Sequence, residues 1–117
     1  MPYGLSNDTV ERIRAVFARY PEVQQAILYG SRAMGTQRDG SDIDLTLTGD
    51  DLDFKTLIRL EIDLDDLMLP YRFDLSIRRQ IDNDALLDHI ERVGVVFYDR
   101  VCERVEEESA DSDIKKI

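Results

Sequence analysis

Apolar positions in the first part of the chain recur at helical spacing. Val10, Ile13, Val16, Phe17 and Tyr20 fall on one side of a helix of about three turns, with Asn7 or Asp8 placed to cap it and Pro21 to stop it. The run 23–29 is short, grows apolar toward Tyr29 and closes on Gly30, which suits a central strand. Ser31 then opens a brief helical turn, Arg32-Ala33-Met34, before an exposed loop of turn formers over 35–40. Polar and apolar residues alternate from Ser41 to Thr48, the mark of a half-buried strand. From Asp53 to Leu69 the pattern returns to helical: Leu57, Leu60, Leu64, Leu67 and Met68 share a stripe that Pro70 ends. Alternation resumes over 71–77, a helix capped by Asp82 or Asn83 carries Leu86, Ile90 and Val93, and Gly94 leads into the apolar run 95–98.

Helix, strand, turn, strand, helix, strand, helix, strand predicts an α+β sheet domain over residues 1–98. Residues 99–117 read as a charged C-terminal tail with the acidic run Glu106-Glu107-Glu108. No repeat or linker divides the chain.

Length narrows the function. A chain of 117 residues makes one domain and leaves no room for a separate acceptor-binding domain, so a large substrate has to come from outside. The hydrophobic fraction of 43% is ordinary for a soluble protein, and no run approaches the roughly 20 apolar residues that cross a bilayer. The N-terminus lacks the features of a secretory signal and the single cysteine, Cys102, excludes an internal disulfide, so a cytoplasmic location is expected. A net charge of −10 repels polyanions and disfavours autonomous DNA or RNA binding. Small nucleotides stay within reach, because a metal ion inverts the local charge of an acidic site.

The candidate chemistry follows from alternation. Residues two apart on a strand share a face, so Asp42 and Asp44 present carboxylates side by side while Ile43 and Leu45 enter the core. Two such like charges call for a cation, and Mg²⁺ suits them because it takes oxygen ligands from one or two carboxylates plus substrate phosphates and water. Asp74 lies in another alternating segment, and if the two strands are neighbours the three carboxylates converge on a site for two ions about 4 Å apart and an in-line displacement at phosphorus. Taken alone, Asp-Ile-Asp reads as readily as turn residues or solvated edge charges. Gly30-Ser31 alters the balance: a strand ending in Gly-Ser and entering a helical turn offers N–H groups and a hydroxyl to a phosphate.

Gly30-Ser31, ten intervening residues and Asp42-Ile43-Asp44 resemble the signature of the DNA polymerase β-like nucleotidyltransferases. The stretch Gly30-Ser31-Arg32-Ala33-Met34-Gly35-Thr36 through Ser41-Asp42-Ile43-Asp44-Leu45 is similar to the minimal nucleotidyltransferases, the MNT antitoxins of HEPN/MNT toxin–antitoxin pairs. The resemblance is specific over 27–48, extends to Asp74 and fades in the tail. It implies a polymerase β palm-like fold, a small mixed sheet with helices packed on it. It also implies two Mg²⁺ ions on Asp42 and Asp44, with Asp74 completing one metal site and helping to deprotonate the acceptor. Gly30 and Ser31 are implied at the β- and γ-phosphates; Arg32, from its place beside them and not from the resemblance, is expected to pair with the phosphates bidentately rather than stand as a solvated charge. The implied reaction is AMPylation from ATP of a tyrosine on a partner HEPN ribonuclease, in a hetero-oligomer with that toxin. Alternatives are an antitoxin that neutralises its toxin by binding alone, and transfer to a small hydroxylated molecule such as an aminoglycoside.

Other polar residues carry weaker expectations. Arg38, in the loop, stays open between a phosphate contact and a solvated charge. Arg72, two before Asp74, is expected to balance the carboxylates, and Lys55 to face solvent. His89, far in sequence from the acidic cluster, is expected in a surface or capping role, and Cys102 as an inert thiol.

Overall fold

The computed structural model of the chain describes residues 2–100. Cys102, the acidic run and the tail beyond Arg100 lie outside the described residues. Helix α1 spans Asn7–Ala18, strand β1 Gln25–Tyr29, α2 Gly30–Met34, β2 Ile43–Thr48, α3 Phe54–Asp65, β3 Phe73–Ile77, α4 Asp84–Val93 and β4 Val95–Asp99, with short 3₁₀ turns at Pro2–Gly4 and Arg78–Gln80. The expected α+β class holds.

The strands form one mixed sheet in the order β3-β2-β1-β4, in which β1 runs antiparallel to β2 and β4 while β2 and β3 are parallel. Parallel neighbours need a crossover, and α3 supplies it between β2 and β3. One sheet face is apolar: Ala26, Leu28, Ile43, Leu45, Leu47, Leu75 and Ile77 join the inner sides of α1 and α3 in a single core. On the opposite face α4 crosses β1, where Ile90 is buried and Gly94 approaches Ile27. That helix leaves the β2–β3 side of the face open, and Asp42 and Asp74 are exposed there.

Local caps refine the expected boundaries. Ser6, not Asn7 or Asp8, caps α1 by accepting from the Thr9 N–H at 3.1 Å. Asp53 caps α3 and Asn83 caps α4 in the same manner. Helix α3 ends at Asp65 rather than Leu69, and Met68 leaves the stripe: its φ of 58° is left-handed and its side chain is 86% exposed. The chain turns there toward β3, so the helical spacing that seemed to continue was accidental. The same helix carries a second apolar row, Phe54, Ile58 and Ile62, on its exposed side.

β4 continues through Asp99, which accepts from the Gln25 side chain, and Arg100 closes the fold. The Arg100 guanidinium donates to the carbonyls of Val23, Ala18 and Tyr20 at 3.0, 3.2 and 2.8 Å. At the Ala18 carbonyl, the last of α1, this cation also meets the negative end of that helix dipole. Among the described residues no helix is long and apolar enough to cross a membrane.

Candidate active site

The site begins where β1 turns into α2. Gly30 has φ +74°, and a Cβ there would stand 2.3 Å from the Asp44 carboxylate. Both the left-handed backbone and the close approach require glycine. The turn is closed at its far end by Gly35, also left-handed at φ 77°.

Arg32, expected beside the phosphates, has a different occupation. It is 3% exposed and its guanidinium donates twice to the Ser41 carbonyl, at 3.0 and 2.8 Å, and to the Tyr3 carbonyl at 2.8 Å, while stacking 4.8 Å from the Tyr71 ring centre. Three of its five N–H donors are spent on main chain, so it ties α2 to the residue preceding Asp42. Arg38 is exposed; its backbone N–H and carbonyl close a small turn on Ser41. Arg72 is exposed too, and its carbonyl accepts from the Ile43 N–H at 2.8 Å, which starts the β2–β3 ladder.

That ladder sets the carboxylates. In the parallel register Asp44 lies opposite Asp74, and in the antiparallel one it lies opposite Tyr29. Asp42 precedes β2 by one residue, two from Asp44 and on the same side of the chain. The condition left open by the sequence, that the two aspartate strands be neighbours, is therefore met. Burial first, then the charges of Asp74 and Asp42, push the Asp44 carboxyl above its ordinary range, with the Arg32 guanidinium pulling the other way. Burial and Asp74 likewise raise the Tyr29 phenol, opposed by a hydrogen bond with Ser76. Ser76 in turn donates to Thr46 at 2.9 Å, so the polar face is bonded across β1, β2 and β3.

Among the described residues no three acidic, histidine or cysteine side chains are drawn tightly enough together to hold an ion unaided. Register and the mutual repulsion felt by Asp44 nevertheless make a donor set of carboxylate oxygens only, open to one side. Mg²⁺ normally takes one or two carboxylates and fills its remaining positions with phosphate and water, so these residues fit an ion that arrives with a phosphorylated substrate.

His89 is the residue whose place the sequence did not reveal. Its Nε2 accepts the Gly30 N–H at 3.2 Å, and its ring meets Tyr29 edge-on at 6.2 Å. It is half-buried rather than at the surface, and what it caps is the first N–H of α2, not its own helix. The separation of 59 residues from Gly30 concealed the contact, which depends on α4 returning across β1 beside α2.

Residues 11–103 match the family described as polymerase beta, nucleotidyltransferase, and the chain belongs to that family of nucleotidyltransferases. Its fold is similar to that of a chain in a toxin–antitoxin structure solved with AMP-PNP, with a TM-score of 0.63 at 20% identity over 97% of this chain and 100% of that one. It is similar also to a chain of the MntA-HepT toxin–antitoxin, with a TM-score of 0.61 at 17% identity over 96% and 100% of the two chains. A third similar structure holds the tri-AMPylated Shewanella oneidensis HEPN toxin with its MNT antitoxin, with a TM-score of 0.61 at 18% identity over 96% of this chain and 91% of that one. No curated protein matches the chain.

Proposed function

We propose that this chain is a Mg²⁺-dependent antitoxin that transfers AMP from ATP to a tyrosine hydroxyl of a partner HEPN ribonuclease, with which it forms a hetero-oligomer in the cytoplasm. The observation that carries the reading is the register: Asp44 stands opposite Asp74, with Asp42 two residues before it and Gly30 against its carboxylate. Family membership supplies the reaction class. The similar structures that hold AMP-PNP, or an AMPylated toxin, support the donor and the acceptor.

Asp42 and Asp44 would hold two Mg²⁺ ions, with Asp74 completing one of those sites; bound there, the metal would supply neutralising charge to the triphosphate and a lower pKa to the acceptor hydroxyl. Gly30 and Ser31 orient the β- and γ-phosphates from the end of β1, and Arg32 acts indirectly by fixing α2 against Ser41. The acceptor oxygen forms a bond to the α-phosphorus as the bond from that phosphorus to the bridging oxygen breaks. Pyrophosphate leaves with the electron pair, and Asp74 helps to take the hydroxyl proton.

The test is intact-mass spectrometry of the partner toxin after co-expression and incubation with ATP and Mg²⁺. Wild type should add one or more AMP units and Asp42→Ala/Asp44→Ala none. A tight complex with no mass gain for wild type replaces catalysis with neutralisation by binding.

A further inference from the structure

We propose that His89 is a placeholder for the nucleotide: in the nucleotide-free protein its imidazole occupies the position of a phosphate oxygen at the Gly30 amide, and the nucleotide displaces it on binding. This inference rests on the reading of Gly30 as a phosphate donor. The Gly30 N–H points not to open solvent but to the His89 Nε2, at 3.2 Å in a half-buried setting. As an acceptor that nitrogen carries no proton, which places the ring's N–H on Nδ1. One amide hydrogen serves one good acceptor at this distance, so the imidazole and a phosphate oxygen cannot both use it.

The surroundings allow the exchange. Helix α4 is held as a unit by its Asn83 cap, by buried Ile90 and by Gly94 against Ile27. The imidazole itself is only half-buried and touches Tyr29 by its edge, so a rotation about its own side-chain bonds withdraws it without moving the helix. The Arg32 brace fixes α2 and the Asp44 carboxylate leaves Gly30 no room for so much as a Cβ, so its amide keeps its direction when the imidazole leaves. A charged phosphate oxygen is the stronger acceptor and wins the amide. The nucleotide meanwhile gives up part of its affinity to break the resident bond, about three- to tenfold for an ordinary hydrogen bond.

Nitrogen-15 NMR of the full chain tests this without ambiguity, because His89 is the sole histidine. In the free protein Nε2 should carry the signature of an unprotonated, hydrogen-bonded nitrogen. At saturating AMP-PNP with Mg²⁺ that bond should be lost and the Gly30 amide should shift. A His89 spectrum unchanged at saturation overturns the proposal. His89→Phe keeps a ring beside Tyr29 but removes the acceptor, and calorimetry should find AMP-PNP bound about three- to tenfold more tightly. Weaker or equal binding also overturns it. If AMP-PNP binds and His89 stays silent, the placeholder alone fails; if neither protein binds AMP-PNP, the nucleotide site of the proposed function fails and the placeholder with it.

Discussion

The turn at Gly30–Met34 and the carboxylates around Asp44 border one another but are built differently. The turn is over-determined: glycine at both ends, a buried arginine bonded to two stretches of main chain, and a histidine on its first amide. The carboxylates are under-determined: Asp42 and Asp74 are exposed, Asp44 is opposed by both, and among the described residues they do not amount to a closed ligand set. The difference matches the ligand that the proposed function gives each half. Phosphate recognition by N–H groups depends on fixed direction, whereas Mg²⁺ brings its own charge and completes its own octahedron from substrate and water. Rigidity resides where the protein supplies the donors, and stored repulsion where the substrate complex supplies the counter-charge.

Removing the charge from the loose half should give the largest effect on chemistry and the smallest on folding. Asp44→Ala is expected to lower AMP transfer by about a thousandfold or more while leaving circular dichroism intact and without lowering the melting temperature in chelator. A residual rate within tenfold of wild type would remove Asp44 from the metal site. Damage to the braced half should appear in both measurements. Gly30→Ala places a methyl on the Asp44 carboxylate and demands a left-handed alanine, so about 1–3 kcal/mol of stability and about a hundredfold in rate should be lost together. If the rate fell and stability did not, the turn would not be the over-determined element described. Arg32→Lys keeps the charge but not the fork that serves both Ser41 and Tyr3. Denaturant unfolding should register a loss of about 2 kcal/mol, with KM for ATP raised more than kcat is lowered. A kcat-dominated defect would mean that Arg32 touches the reacting phosphates after all.

These contrasts explain what was legible in the sequence. Strand alternation placed Asp42, Asp44 and Asp74 on polar faces because each face repeats every second residue, and the apolar partners Ile43, Leu45 and Leu75 are buried as that period requires. The helices α1, α3 and α4 were legible from their stripes, although the end of α3 was not, since left-handed Met68 has no sequence mark comparable to glycine. Pairing order was invisible: nothing in either segment states that β2 and β3 are parallel neighbours. Arg32 was misplaced, and the partner of His89 was hidden, for a related reason. A guanidinium near a phosphate motif suggests a phosphate contact, and only the fold reveals that Ser41 and Tyr3 claim it first. A histidine 59 residues from Gly30 acquires meaning only when α4 returns to α2.

The smallest effect is the most diagnostic of repulsion held in reserve. The Asp44 carboxyl is raised above its ordinary range by burial and by Asp74 and Asp42, so the native state binds its proton more tightly than the unfolded chain does. Above the raised native value the ionised carboxylate opposes folding in full. The penalty declines as pH falls through the window between that value and the ordinary carboxylate range, and it is gone below the window. In chelator, Asp44→Asn should therefore melt about 2–4 °C above wild type at pH 7, with the gap closing as the solution is acidified. Mg²⁺ with AMP-PNP should reverse the order, because it stabilises only the protein that retains the carboxylate. A variant that melts below wild type at neutral pH in chelator would mean that Asp44 is held by favourable contacts, and the contrast between a braced turn and a repelling acidic rim would have to be abandoned.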